Sequence, residues 1–269
     1  MSWVRDPLPW LGAAILVTVL LAAVLGPLSG YDVVADADPG RVFAAPSAAH
    51  WLGTDHLGRD VAWRLVIATG PLVGPGLLAC GVGAALAIPL GTASGVLGGP
   101  VATAIRFAFT VVEGLPRFVL VLLVLAIYGH DGLILALVAG VAYAPTLGEA
   151  IHERLEGLRQ ADFILANRAH GVPETQLVLV HLLWGACRRL IARHLLGLFA
   201  FFLVLETTLS YLEFGVQQPW PSWGNMLAFD LDYADATPAA LLAPALAIWL
   251  VLAATTWVRR GLSDRGHDA

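Results

Sequence analysis

Long apolar runs separated by short polar stretches dominate the chain. Asp6 and Asp32 bracket 25 uncharged residues, enough to cross a ~30 Å hydrocarbon core at ~1.5 Å per residue. A first spanning helix is therefore predicted over 8–28. Arg5 precedes this run, and Ala35-Asp36-Ala37 is similar to a signal cleavage site. The run is longer than a signal core, so a retained helix is expected. Residues 29–63 form a polar loop ending in HWLGTDHLGRDVAWRLV (50–66), where Thr54 and Asp55 are expected to cap a short helix running through Val61 and Leu65.

From Leu65 to Ile105 there is no charge, and Gly98-Gly99-Pro100 marks a turn within the run. Helices are predicted over 68–97, 101–128, 133–148, 190–212 and 239–258, which makes six spans. The 68–97 segment is dense in Gly and Pro. Small residues let helices approach closely in lipid.

Residues 149–185 form the longest polar stretch. Leu155, Leu158, Ile164 and Leu165, then Leu177, Val180 and Leu183, recur at helical spacing around a Gly171-Val172-Pro173 break. The pattern predicts a helix, a turn and a second helix outside the membrane. A loop this structured is expected to touch a partner.

Composition agrees. The chain of 269 residues is 58% hydrophobic and 13% charged, against ~25% charged for a soluble domain. A polytopic membrane protein follows. Cys80 and Cys187 offer no disulfide framework and no metal set. Arginine distribution predicts orientation. Arg5, Arg154, Arg159, Arg168, Arg188, Arg189, Arg259, Arg260 and Arg265 fall on one side, against Arg41, Arg59 and Arg64 on the other. Both termini and the 149–189 segment are thus expected in the cytoplasm, in a multi-pass protein of the cell (inner or plasma) membrane.

The chain contains no lysine, so a GxxxxGK[ST] phosphate loop is impossible. Any ATP-driven step must use another subunit. No GxSxG, HExxH or CxxC is present, and a catalytic role is not expected. His50 and His56, six apart in one loop, are weak metal-ligand spacing. Glu113 and Arg117 stand at i,i+4 in the third apolar segment, with Pro116 between them predicting a kink. They are either a self-neutralising pair or a contact on a solute route, since intramembrane charge is costly. Glu206 lies in the fifth segment with no basic partner one turn away. It is either bonded to a neighbouring helix or involved in gating.

Two stretches carry a family resemblance. HWLGTDHLGRDVAWRL (50–65) resembles the H-x-LGTD-x-x-GRDV-x-x-R pattern of C-type permease subunits of dipeptide, oligopeptide and nickel ABC importers. Its matching positions are Gly53, Thr54, Asp55, Gly58, Arg59 and Asp60. ETTLSYLEFGVQQPWPSWGNML (206–227) resembles their E-x-x-LSFLGLGVQPP-x-PSWG-x-ML pattern at Ser210, Gly215, Gln217, Pro219, Ser222, Trp223 and Gly224. Gly261-Leu262-Ser263-Asp264 is similar to their GLRD ending.

The resemblance implies an all-α polytopic fold with six transmembrane helices and the MetI-like core of type I ABC importer permeases. Residues 1–66 would form the N-terminal helix and external loop, 67–262 the permease core, and 263–269 a cytoplasmic tail. It also implies ATPase coupling through the 162–176 loop. Asp162 and Leu165-Ala166-Asn167-Arg168-Ala169-His170-Gly171-Val172-Pro173 stand where the family has its E-A-A-x-x-x-G docking motif. Ala166 and Gly171 match, whereas Leu165 and Asn167 depart from it. His181 and Leu183 match the following H-x-LPN, but the Pro-Asn is absent. The implied partners are a second permease, ATP-binding subunits, an extracytoplasmic solute-binding protein and the lipid bilayer, with no nucleic acid and no cofactor. The competing readings are a non-energised secondary transporter or scaffold, and a membrane enzyme. Neither internal repeats nor buried charge relays of a secondary transporter are seen.

Overall fold

The computed structural model describes residues 6–129, 131–158, 172–173 and 176–263. Its regular structure is helical throughout: α1 (Leu8–Leu25), α2 (Val61–Ile67), α3 (Thr69–Leu97), α4 (Gly99–Glu113), α5 (Arg117–Tyr128), α6 (Gly132–Leu158), α7 (Arg188–Tyr211), α8 (Trp223–Asp230) and α9 (Pro238–Ser263). Five helical runs are long and apolar enough to cross a membrane. The α4–α5 pair makes a sixth if counted as one bent span.

That pair turns the single kinked helix predicted over 101–128 into two helices. The two pieces meet at 74°. Pro116 has no N–H to donate and disfavours helical backbone at Leu115, so the ladder cannot run through. Glu113 ends α4 and Arg117 begins α5. Their i,i+4 spacing therefore spans a break and is not a turn of one helix.

Three other expectations change. The span predicted over 133–148 continues to Leu158, because Ile151, His152 and Leu155 are buried against the bundle. The first turns of the polar stretch thus extend a spanning helix. The second helix expected there is a wide π-helical run, Leu177–Cys187, continuous with α7. Calls on Asp162 and Leu165 to Gly171 lie outside the described residues; Val172 is half-buried and Pro173 exposed. Lastly, Asp60 caps α2, accepting from the Trp63 N–H at 2.9 Å. Thr54 and Asp55 precede this cap and do other work.

The closest helix pair is α3 with α6. On α3, Gly83, Ala87, Gly91 and Gly95 recur every four residues, a spacing that puts them on one face. On α6, Gly140, Ala144, Gly148 and His152 do the same. A Cβ on Gly91 would lie 3.0 Å from the Gly148 Cα, and one on Gly95 2.7 Å from the Leu155 Cβ. Two small-xxx-small stripes thus let the backbones touch. One apolar core gathers Leu72, Val121, Phe202, Leu209, Trp223 and Met226. A second gathers Leu147, Ile151, Leu155, Leu177 and Cys187 toward the Gly98 end.

An ion-pair knot between two loops

The 50–60 and 206–227 stretches, far apart in sequence, fold against one another. In the first, Gly53 and Gly58 have φ of +74° and +73°. A side chain on Gly58 would meet the Asp38 carbonyl, which explains the glycine at that turn. Thr54 is buried: its N–H donates to the Ala44 carbonyl at 3.1 Å, and its hydroxyl accepts from the Ala44 N–H at 2.8 Å and donates to the Arg41 carbonyl. The loop closes through Val61 N–H to the Gly53 carbonyl, 3.1 Å.

The Asp55 side chain is fully buried and accepts four hydrogen bonds. They come from the Leu57 and Arg59 N–H groups (2.8 and 2.9 Å), Arg59 Nε (2.7 Å) and Arg64 Nη1 (2.5 Å), with Oδ2 shared by both arginines. That is four donors from two residues' side chains and two backbone groups, all converging on one carboxylate. Burial alone would raise its pKa; Arg64, Arg59 and the two N–H groups overcome this and hold it below the usual carboxylate range. Arg64 Nη1 also lies 3.3 Å from Asp230 at the end of α8, and the Asp230 carboxylate accepts from His56 Nδ1 at 3.0 Å. Arg59 Nη1 donates to Gln218 Oε1 at 3.0 Å. His50 Nδ1 sits 2.8 Å from Asp60, and the His56 ring stacks on Tyr233 with centroids 5.1 Å apart.

In the second stretch, Ser210 donates to Glu206 at 2.7 Å and accepts from the Val216 N–H at 3.0 Å. Gly215 leaves no room for a side chain against Ser210. Gln217 donates to the Glu213 and Gly215 carbonyls. Pro219 follows a cis bond after Gln218. Ser222 caps α8 in a capping box with Asn225, Trp223 Nε1 donates to the Leu65 carbonyl at 3.1 Å, and Gly224 lies against the Thr207 carbonyl. Every matching position of the two stretches therefore shapes or joins these loops.

Ligand atoms of Asp55, His56 and Asp230 lie within 4.8 Å of one another, the spacing of a cation site. Both carboxylates already face Arg59 or Arg64, and two guanidiniums balance two carboxylates. The arrangement is a neutral knot. His50 and His56 point to different carboxylates and do not converge.

The pathway candidates sit elsewhere. Glu113 and Arg117 face each other at 3.7 Å, both part-exposed. Thr146 accepts from Arg117 and donates to Glu113 at 3.2 Å. The Arg117 guanidinium lies over the Tyr143 and Phe201 rings, 5.2 and 5.9 Å from their centroids. Glu206 is buried and bonded to Ser210 and lines a cavity of about 150 Å³ with Asp131, Gly132, Pro71 and Pro75. Sequence reasoning missed Asp230, Arg64, His56 and Thr146 as partners. The only available signal was that an arginine one turn into an apolar segment needs a counter-charge.

Helical spans, a broken span and interlocked loops define a polytopic α-helical membrane protein. The chain belongs to the family of binding-protein-dependent transport system inner membrane components, whose model matches residues 87–266. It is 28% identical over 260 residues to the dipeptide transport system permease protein DppC of Alkalihalophilus pseudofirmus, covering 97% of this chain and 85% of that one. It is 26% identical over 253 residues to the glutathione transport system permease protein GsiD of Pectobacterium atrosepticum (94% and 84%). To the nickel transport system permease protein NikC of Escherichia coli K12 it is 27% identical over 234 residues (87% and 84%). The chain is a multi-pass membrane permease, and the non-energised reading is not favoured.

Proposed function

We propose that this chain forms half of the route by which an ATP-driven importer carries peptides or a related small solute. The observation that supports this most is the near full-length similarity to a dipeptide permease. A second permease would complete the route, separate ATP-binding subunits would hydrolyse ATP, and a solute-binding protein would deliver cargo. The arginine bias supports an orientation with both termini and the Gly98 end in the cytoplasm and the Asp55–Arg64–Asp230 knot outside.

In this reading the 162–176 loop docks on the ATPase. Asp162, Leu165, Ala166, Asn167, Arg168, Ala169, His170 and Gly171, with Val172 and Pro173, form the contact. Closure of the ATPase then rocks α6 and α7, the helices on either side of the loop, as rigid bodies. The knot binds α2, at the head of α3, to α8. It gives the outer end one rigid cap for those motions to work against.

The test is ATP hydrolysis and uptake of labelled dialanine by the reconstituted complex carrying Gly171→Trp. Loss of both, with subunits still co-purifying, is expected. Wild-type rates in that variant would remove the coupling assignment.

A further inference from the structure

We infer that the α4–α5 break is a recognition point for a zwitterionic solute, with Glu113 taking its ammonium group and Arg117 its carboxylate. This rests on the peptide-import reading above.

The first argument is depth. Thr146 sits near the middle of the 27-residue α6, and α4 rises about 22 Å from the Gly98 turn to Glu113. The Glu113–Arg117–Thr146 group therefore lies well inside a ~30 Å hydrocarbon core. Charged side chains at that depth face protein or a watery route, not lipid, and irregular backbone obeys the same rule. Yet the Glu113 and Arg117 side chains remain 41% and 32% exposed on this single chain. The open face is thus one that a second permease and the solute route would cover.

The second argument is sign. Helices favour cations at their C-termini and acids at their N-termini. Here the placement is reversed. Glu113 stands at the negative end of α4 and Arg117 at the positive end of α5. No side chain caps α5. Each charge adds to the field of its own helix end. The pair answers itself only loosely, at 3.7 Å, beyond hydrogen-bond reach. The result is a negative pole and a positive pole side by side, complementary to a solute bearing one charge of each sign. The Tyr143 and Phe201 rings lie against the Arg117 guanidinium, and the side chain stays part-exposed. Thr146 tethers both members.

The experiment uses the full reconstituted importer and labelled dialanine. Glu113→Gln and Arg117→Gln should each cut uptake about tenfold, the loss of one charge-assisted contact. The exchange E113R/R117E is the decisive variant. It matches both charges to their helix ends, so thermal stability should hold or rise, while uptake stays low because the poles are inverted. Restored uptake in the exchange, or unchanged uptake in both single variants, overturns the inference and makes the pair a structural ion pair. Where a charge variant does not co-purify with its partners, Thr146→Val decides, keeping both charges while releasing Arg117. About threefold lower uptake supports the site, and wild-type uptake overturns it. Failure of the wild-type complex to take up dialanine would instead remove the peptide reading itself.

Discussion

The Arg64 guanidinium lies 3.3 Å from the Asp230 carboxylate across 166 residues of sequence, and both side chains are about 1% exposed. Arg64 also holds Asp55. One cation at the head of the second span thus joins two loops that the chain order keeps apart.

Removing Arg64 should be severe. Arg64→Met keeps most of the volume but leaves Asp55 with one guanidinium and Asp230 with only His56. Breaking a buried pair from one side costs about 3–5 kcal/mol. Thermal unfolding of purified protein in detergent should show a clear drop for Arg64→Met. An unchanged Tm would mean the knot contributes nothing to stability.

The knot should resist acid. Asp55 has a folded pKa below its unfolded value. Its stabilisation is therefore fully present above the unfolded value, about 4, and lost as pH falls through the folded one. The Tm difference between wild type and Asp55→Asn should be flat from neutral pH down to about 4 and shrink only below it. A difference that fades already between pH 7 and 5 would contradict the assignment.

The α3–α6 contact can be tested with two glycines of one helix. Gly91→Leu forces a side chain into the Gly148 backbone and should destabilise by about 1–3 kcal/mol or more. At Gly81 nothing lies within 4 Å of an added Cβ, so Gly81→Ala should be neutral or stabilising by up to about 1 kcal/mol. Equal effects of the two changes would argue against the stripe.

Orientation is accessible to labelling. Ser222, in the middle of the 206–227 motif, is fully buried as the cap of α8 and is a poor reporter. Trp220 is 63% exposed, and the Glu156 side chain 61%. With Cys80 and Cys187 replaced by alanine, an impermeant thiol reagent on intact cells should label Trp220→Cys and not Glu156→Cys. The opposite pattern would invert the topology.

The spans were legible because a hydrocarbon core demands a minimum apolar length, and that length is written in single residues. The glycines on α3 were legible as packing residues for the same local reason. The bend at Pro116 was visible as a kink. Its consequence was not, because 101–128 also reads as one span of good length. The end of the 133–148 span was misjudged because Glu149, Glu153 and Glu156 look like the edge of the membrane. Ile151, His152 and Leu155, on the face turned toward α3, keep the helix going.

The sequence by itself determined that this is a multi-spanning α-helical membrane protein, where its apolar segments fall, and which two loop stretches carry its family pattern. These depend on hydropathy and turn chemistry, which act over a few residues. Only the tertiary structure decided that Asp230 answers Arg64, that His50 and His56 serve different carboxylates, and that Glu113 and Arg117 belong to different helices. A counter-charge can come from any point of the chain that folding brings within a few ångströms, and electrostatic partnership leaves no periodic trace in the sequence.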